Sequence, residues 1–265
     1  MRAIDFFCGG GGMTCGLRQA GIDVVAGVDF DEDAKETYEA NNEGAKFVPA
    51  DISKLELDYF EKELGVHRND DELILVGCSP CQFYSIIRSS KEKSKASKDL
   101  LLQFQKFIGY YNPGYVLVEN VPGIISNKET VLYDFLDFLK DHGYGAPKSK
   151  TCKYAIINMK DYGVPQNRRR FSLIATRLDR EVHLPEKETE EITVRDAIGD
   201  RRVYRRIEAG HRDVDKKRFH SAIQLSEINL ERIRNTSHDG GNRLEWSKNR
   251  HLQLKCYRGK DHSFL

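Results

Sequence analysis

Apolar residues fall in short blocks along the first part of the chain, and turn-forming or charged stretches separate them. RAIDFF predicts a first strand, followed by CGGGG and a helical stretch that ends near Ala20. IDVVAGVDF predicts a second strand, and DEDAKETYEANN a helix whose first-turn acids suit the positive end of its dipole. KFVPADI and ELILVG repeat the strand pattern, KDLLLQFQKFIGYY has helical periodicity, and GYVLVENV is again a strand. KETVLYDFLDFLKDHG predicts a helix ending at Gly143, while KYAIINM and RFSLIAT read as two further strands. Strand, turn and helix alternating over about 140 residues predict an α/β fold with a doubly wound, mostly parallel sheet. Ligands bind such sheets at the carboxyl ends of the strands.

After about Arg180 the pattern weakens, and the chain divides into residues 1–190 and 191–265. HLPEKETEEITVRDAIGD reads as a connector with a short helix, LSEINLERIRN as another helix, and the remaining stretch is polar and irregular. Gln82 to Leu100, QFYSIIRSSKEKSKASKDL, is polar and rich in serine and lysine between ordered elements. A loop of that length in a compact domain is a lid, a binding loop or a disordered segment.

Charge sharpens this division. The 265 residues carry a net +1, yet Arg195 to Leu265 hold 17 basic and 10 acidic residues against 25 and 31 before them. An acidic front with a basic tail suits either a polyanionic partner or a solvated charged surface. No run approaches the ~20 apolar residues of a membrane span, and MRAIDFFCGG has no signal-peptide pattern. Six scattered cysteines and 31% charged residues predict reduced thiols in a cytoplasmic protein, nucleoid-associated if bacterial.

DFFCGGGG places glycines between a strand and a helix, where the backbone must turn sharply and let a ligand approach. Asp29 ends the next strand, 20 residues after Gly9, a spacing at which a carboxylate accepts both hydroxyls of an adenosine ribose. The strict dinucleotide pattern fails at Thr14, and no Gly-Lys-Ser/Thr is present. Asp51 in PADIS reads either as an acceptor for an adenine amine or as a helix cap. Glycines, Asp29 and Asp51 together favour S-adenosylmethionine over a dinucleotide.

GCSPCQFYS sets Cys78 and Cys81 three apart with Pro80 between them. A structural zinc site needs a second close pair, and Cys8, Cys15, Cys152 and Cys256 form none, so no metal is expected. A redox pair starts a helix, whereas here a proline intervenes and a polar loop follows. A single working thiolate remains, and it needs companions. ENV (Glu119, Asn120, Val121) follows a strand, and PQNRRRF (Pro165 to Phe171) follows a turn. Alone, these are a surface carboxylate and a solvated basic patch.

The ordered set DFFCGGGG, GVDFD, ADI, PCQ, ENV, QNRRR and TVRDAIGD resembles the DNA (cytosine-5)-methyltransferase family over roughly residues 1 to 200. The resemblance implies an S-adenosylmethionine-dependent methyltransferase fold over 1–190. It also implies a connector and the start of a smaller, irregular target-recognition domain over 191–265. By resemblance Cys81 is the nucleophile that attacks cytosine C6, and Cys78 is a small buried bystander. Glu119 serves N3 of the base, and Arg168 and Arg170 hold the pocket, with Arg170 aimed at O2. Phe7, Gly9, Gly11, Gly12, Asp29, Phe30, Asp51, Ile52 and Pro80 would hold the cofactor. Gln82, Ser85, Arg88 and Lys91 would meet duplex DNA from the catalytic lid, with Lys93, Lys95 and Lys98 near phosphates.

The family's usual continuation, a full recognition region and a final GNS-type motif, has no counterpart here, and the chain stops at DHSFL. A split enzyme, a truncation and an inactive remnant all account for this. The intact motifs favour the first, with a second polypeptide supplying the rest. A transfer RNA cytosine methyltransferase and a non-catalytic DNA-binding subunit are the competing functions.

Overall fold

The structure, a computed structural model, describes residues 1–80, 100–126, 130–188, 190–211, 221–238, 241–242, 245–246 and 249–254. The chain divides into two units, Met1–Thr193 and Val194–Leu265. In the first unit the described strands are β1 (Arg2–Phe6), β2 (Asp23–Asp29), β3 (Lys46–Pro49), β4 (Leu73–Gly77), β5 (Tyr115–Asn120), β6 (Cys152–Asn158) and β7 (Arg169–Thr176). They form one sheet in the order β3-β2-β1-β4-β5-β7-β6. β1 to β5 pair in parallel, whereas β7 runs antiparallel to both β5 and β6. This is the doubly wound, mostly parallel sheet that the alternating pattern predicts. The order reverses between β1 and β4, so a crevice opens beyond their carboxyl ends.

The described helices of this unit are α1 (Gly12–Gln19), α2 (Lys35–Asn41), α3 (Tyr59–Leu64), α4 (Leu100–Tyr111), α5 (Gly123–Ser126) and α6 (Leu132–Leu139). α4 buries Leu101, Phe104, Phe107, Ile108 and Tyr111, and α6 buries Leu132, Phe135, Leu136 and Leu139. Both sets recur every three or four residues, so each helix turns one apolar stripe to the sheet. Alternation along β1 assigns its faces. Ile4 and Phe6 join the core of α3 and α4, and the Phe6 ring lies 5.7, 5.2 and 5.0 Å from those of Phe60, Phe104 and Phe107. Ala3 packs on the opposite face with Leu17, Val24, Ile74 and Val76. Burying each large side chain stabilises the fold by about 1.5–3 kcal/mol.

Three local departures have physical causes. The helix expected across DEDAKETYEANN opens as a 3₁₀ turn, Glu32–Ala34, because Asp31 Oδ1 accepts from the Asp33 amide at 3.2 Å and holds the chain in a tighter turn. The helix expected to run to Gly143 ends at Leu139 and passes into a wide turn over Lys140–Tyr144, with Gly143 at φ +86°. α3 was not anticipated; it is six residues long and stops where Gly65 adopts φ +59°.

The second unit contains α7 (Val194–Ile198) and α8 (Glu227–Arg234). Trp246 is its buried anchor: the indole N–H donates to Thr236 Oγ1 at 3.1 Å, and the Arg232 guanidinium lies 5.5 Å from the ring centroid. Among the described residues, no helix is long and apolar enough to cross a membrane.

Candidate active site

β1 delivers its chain straight into the glycine turn. Phe7 follows the strand with φ +63°, a left-handed conformation that costs a non-glycine residue about 1–3 kcal/mol. Hydrogen bonds hold it there, since the amides of Phe7 and Cys8 both donate to Val28 O, at 2.7 and 3.1 Å. Gly9 and Gly11 take φ +49° and +86°. A Cβ at Gly11 would collide with Asn42 and the Tyr38 ring, so this glycine is fixed from within the fold. At Gly9 and Gly12 a Cβ would meet no protein atom within 4 Å. Asp29, at the end of β2, accepts from the Gly9 amide at 2.9 Å through Oδ2 and from the Asp31 amide at 3.0 Å through Oδ1. The carboxylate therefore ties the turn to the neighbouring strand.

Beside this turn a hollow is lined by Phe6, Phe7, Val28, Asp29, Phe30, Ala50, Asp51, Ile52, Pro80 and Leu100. Six of the nine residues expected to hold a cofactor thus meet in one hollow, and the glycines border it in the chain. Ile52 is buried, and Phe30 is 74% exposed. Two larger hollows elsewhere have mostly charged or polar linings (Lys160, Asp161, Lys187 and three glutamates; Lys148, Lys153, Tyr154, His183 and Leu184). Shape and apolar lining, not volume, mark the smaller one. No helix follows Asp51, so it caps none; instead its Oδ1 accepts from both the amide and the hydroxyl of Ser53, at 2.9 and 2.7 Å, which closes a turn and lowers its pKa. It also borders the cavity.

The second half of the site forms where β5 and β7 end together. Their antiparallel register sets Glu119 opposite Ser172 and Asn120 opposite Phe171. Arg170, at the start of β7, reaches across so that Nε lies 2.6 Å from Glu119 Oε1. Burial raises the Glu119 pKa, while Arg170 first and Arg168 after it pull it down. Arg168 is exposed in the turn before β7, and its carbonyl accepts from the Met159 amide at 2.9 Å. Asn120 is buried. Its Nδ2 donates to Ser79 O and Oγ, both at 3.1 Å, and its Oδ1 accepts from the Val121 amide at 2.9 Å. That side chain fastens the Ser79–Pro80 segment to the end of β5. Motif reading quoted Asn120 within ENV but gave it no role, and its place in the motif was the available signal.

Cys78 is partly exposed rather than the buried residue expected, because it lies just past the last residue of β4. Its thiol is nonetheless held well above the usual range, by desolvation first and then by the charges of Asp5 and Glu119. Such a sulfur is a poor thiolate. Cys81, Gln82, Ser85, Arg88, Lys91, Lys93, Lys95 and Lys98 lie outside the described residues. Among the described residues no cluster of His, Cys, Asp and Glu could hold a metal ion.

Comparison with known proteins bears on this geometry. The profile of the C-5 cytosine-specific DNA methylase family matches residues 1–262. The Type II methylase M.HgiDII of Herpetosiphon aurantiacus is 34% identical over 259 residues, covering 96% of this chain and 68% of that protein. The Type II methyltransferase M.XorII of Xanthomonas oryzae pv. oryzae is 30% identical over 198 residues, 74% of this chain and 45% of that protein. In fold, the chain is similar to the Entamoeba histolytica methyltransferase EhMeth, with a TM-score of 0.57 and 19% identity over 75% of this chain and 59% of that one.

Proposed function

Because the chain belongs to the C-5 cytosine-specific DNA methylase family, matched over residues 1–262, we propose that it methylates C5 of a flipped-out cytosine in a specific duplex DNA sequence. S-adenosylmethionine is the proposed methyl donor. The observation that carries the reading is the meeting of Glu119 with Arg170 beside a Ser79–Pro80 segment anchored by Asn120. Residues 1–190 take the cofactor and the chemistry in this reading. Residues 191–265, with their excess of basic groups, begin target recognition.

The cavity fits the donor's adenosine. Phe7 and Phe30 offer aromatic walls, Asp29 and Asp51 offer carboxylate acceptors, and Gly9 and Gly12 leave open space against the turn. When bound, S-adenosylmethionine supplies an electrophilic methyl group.

The chain's own residues make C5 reactive. The Cys81 thiolate adds to cytosine C6, forming a C–S bond while the electrons of the ring double bond move toward C5. Charge that builds at N3 and O2 is met by donors. Glu119 in its protonated form donates to N3, and its desolvated position keeps the proton on the carboxyl to higher pH than usual. Arg168 and Arg170 hold O2 and orient the ring. As the base enters, Arg170 turns from Glu119 to O2, and the carboxyl loses the main charge opposing its protonation. Once C5 carries the methyl, a base removes the C5 proton, the double bond re-forms and the thiolate leaves. The base must first leave the duplex, at a cost of a few kcal/mol.

A duplex carrying 5-fluorocytosine tests the reading, because fluorine cannot leave as a proton does. With the methyl donor present, the wild-type chain should form a covalent adduct that survives denaturation, and Cys81→Ser should form none. An adduct on transfer RNA alone would move the substrate class. No adduct on either nucleic acid would sink the proposal. The matched relatives are longer than this chain, which spans about half to two thirds of their length, and the idea of a second polypeptide draws no support from them. Adduct yield with and without a second polypeptide that carries the family's final motif tests that part separately.

A further inference from the structure

Arg169 opens β7 between the two arginines given to the base, yet the chemistry above leaves it without a task. Strand alternation turns its side chain to the sheet face on which Phe171 joins the core, opposite the face where Arg170 meets Glu119. It therefore has no place in the Glu119 pocket. Phe171 pairs with Asn120, the last residue of β5, so Arg169 stands two residues, about 7 Å, beyond the rim of that strand.

Across the hairpin Arg169 pairs with Asn158. Asn158 Nδ2 donates to Asn167 Oδ1 at 2.8 Å. That bond occupies the Asn167 oxygen, so the exposed Asn167 carboxamide offers solvent its N–H donors. The remaining acceptor of the pair, Asn158 Oδ1, is buried and out of a ligand's reach. The Arg169 side chain is exposed and has no hydrogen-bond or ion-pair partner among the described residues. Acids nearby are engaged elsewhere. Asp161 lies 2.8 Å from Lys187 Nζ, and Glu191 lies 3.9 Å from Lys160 Nζ. The outer rim at Arg169 and Asn167 thus presents side-chain donors and one uncompensated positive charge.

We propose that Arg169, flanked by the Asn167 carboxamide, binds a backbone phosphate of the duplex at the rim of the site. The inference deepens the duplex-DNA reading and rests on it. A base held by Glu119 and Arg170 stays tethered to its sugar and phosphate, which remain outside the pocket. The DNA backbone must then pass over the residues that border the pocket. A guanidinium placed there neutralises one phosphate and releases the counterion it held. Beyond Lys160, the hollow of Asp161, Glu188, Glu190 and Glu191 is acidic and repels phosphates, which confines the contact to the Arg169 side.

An anisotropy titration of the full chain with a labelled mixed-sequence duplex, repeated over a salt series, tests this. Arg169→Gln should lower the slope of log K against log salt by about 0.9, one phosphate's share. Its affinity deficit should shrink about three- to fourfold as salt rises from about 50 to about 200 mM. Arg169→Lys keeps the charge and should keep the wild-type slope. Asn167→Asp sets a negative charge beside the same phosphate and should also lower the slope. Lys150→Gln removes a positive charge at the opposite end of β6 and should leave the slope unchanged. Urea midpoints of all four should match the wild type, because the replaced side chains are exposed. If Arg169→Gln keeps the wild-type slope, or Lys150→Gln lowers it as much, the inference is overturned while the duplex-DNA reading stands. If the wild type binds no duplex, both fall.

Discussion

Arg170 Nε lies 2.6 Å from Glu119 Oε1, across the antiparallel seam between β7 and β5. The ion pair opposes the desolvation that raises the Glu119 pKa, and desolvation is the larger of the two. Glu119→Gln should therefore leave DNA affinity nearly unchanged and lower the single-turnover methyl-transfer rate by about 10²–10⁴-fold. Because the protonated acid is the active form and its pKa is raised, the wild-type rate should fall on the alkaline side of that pKa. The glutamine variant should lack this limb. A rate–pH profile of both proteins is the measurement.

Arg170→Ala removes the main charge that pulls the Glu119 pKa down. The alkaline limb of the profile should shift to higher pH as the overall rate drops, whereas Arg170→Lys should restore the limb's position more than the rate. A point charge replaces the pairing but not the planar fork.

Asn120→Ala strips Ser79 and the Val121 amide of their buried partners. The loss should cost about 1–3 kcal/mol in a urea unfolding series. Yield of the fluorocytosine adduct should fall further than that destabilisation explains, because the Ser79–Pro80 segment leads directly to Cys81.

Phe6 and Phe30 give opposite outcomes from the same substitution. Phe6→Ala opens a hole among Phe60, Phe104 and Phe107 and should cost about 3–5 kcal/mol. Phe30→Ala, at 74% exposure, should stay within about 0.5 kcal/mol of wild type yet weaken S-adenosylmethionine binding. Chemical denaturation and calorimetry separate the two.

The pH dependence of stability carries a signature of Asp5, whose buried Oδ2 accepts from the Thr14 hydroxyl at 2.7 Å, beside the Tyr38 hydroxyl, while its Oδ1 has no partner among the described residues. Its folded pKa, about 7, exceeds the ordinary value of 3.8, so its stabilising share is fully present below pH 3.8 and is lost as pH rises through 7. Asp5→Asn should therefore gain on the wild type as pH climbs from 4 to 8, seen as a narrowing or reversed difference in urea midpoint.

Much of the sheet was legible because each strand is a compact apolar block bounded by turn residues. The glycine turn and Asp29 were legible because their spacing is local. α3 was not, because six residues give too little period to separate a helix from a loop. Glu119 and Arg170 were found through family resemblance; nothing in either residue's own neighbourhood announces the other, and only the reversed strand β7 joins them. The network of Asp5, Thr14 and Tyr38 escaped altogether. A buried carboxyl declares itself only when helix packing shows which of its oxygens lacks a donor.

The reversal of β7 also governs where the chain tolerates growth. A strand entering the sheet at the rim hands its first residues to the mouth of the site and its last to the far side. Lengthening the short link between Asn158 and Arg169 would remodel the opening that meets a base. Added residues beyond Thr176 would emerge at the opposite edge and leave that opening as it is. Diversification at this corner of the entrance is thus channelled into the β6–β7 hairpin.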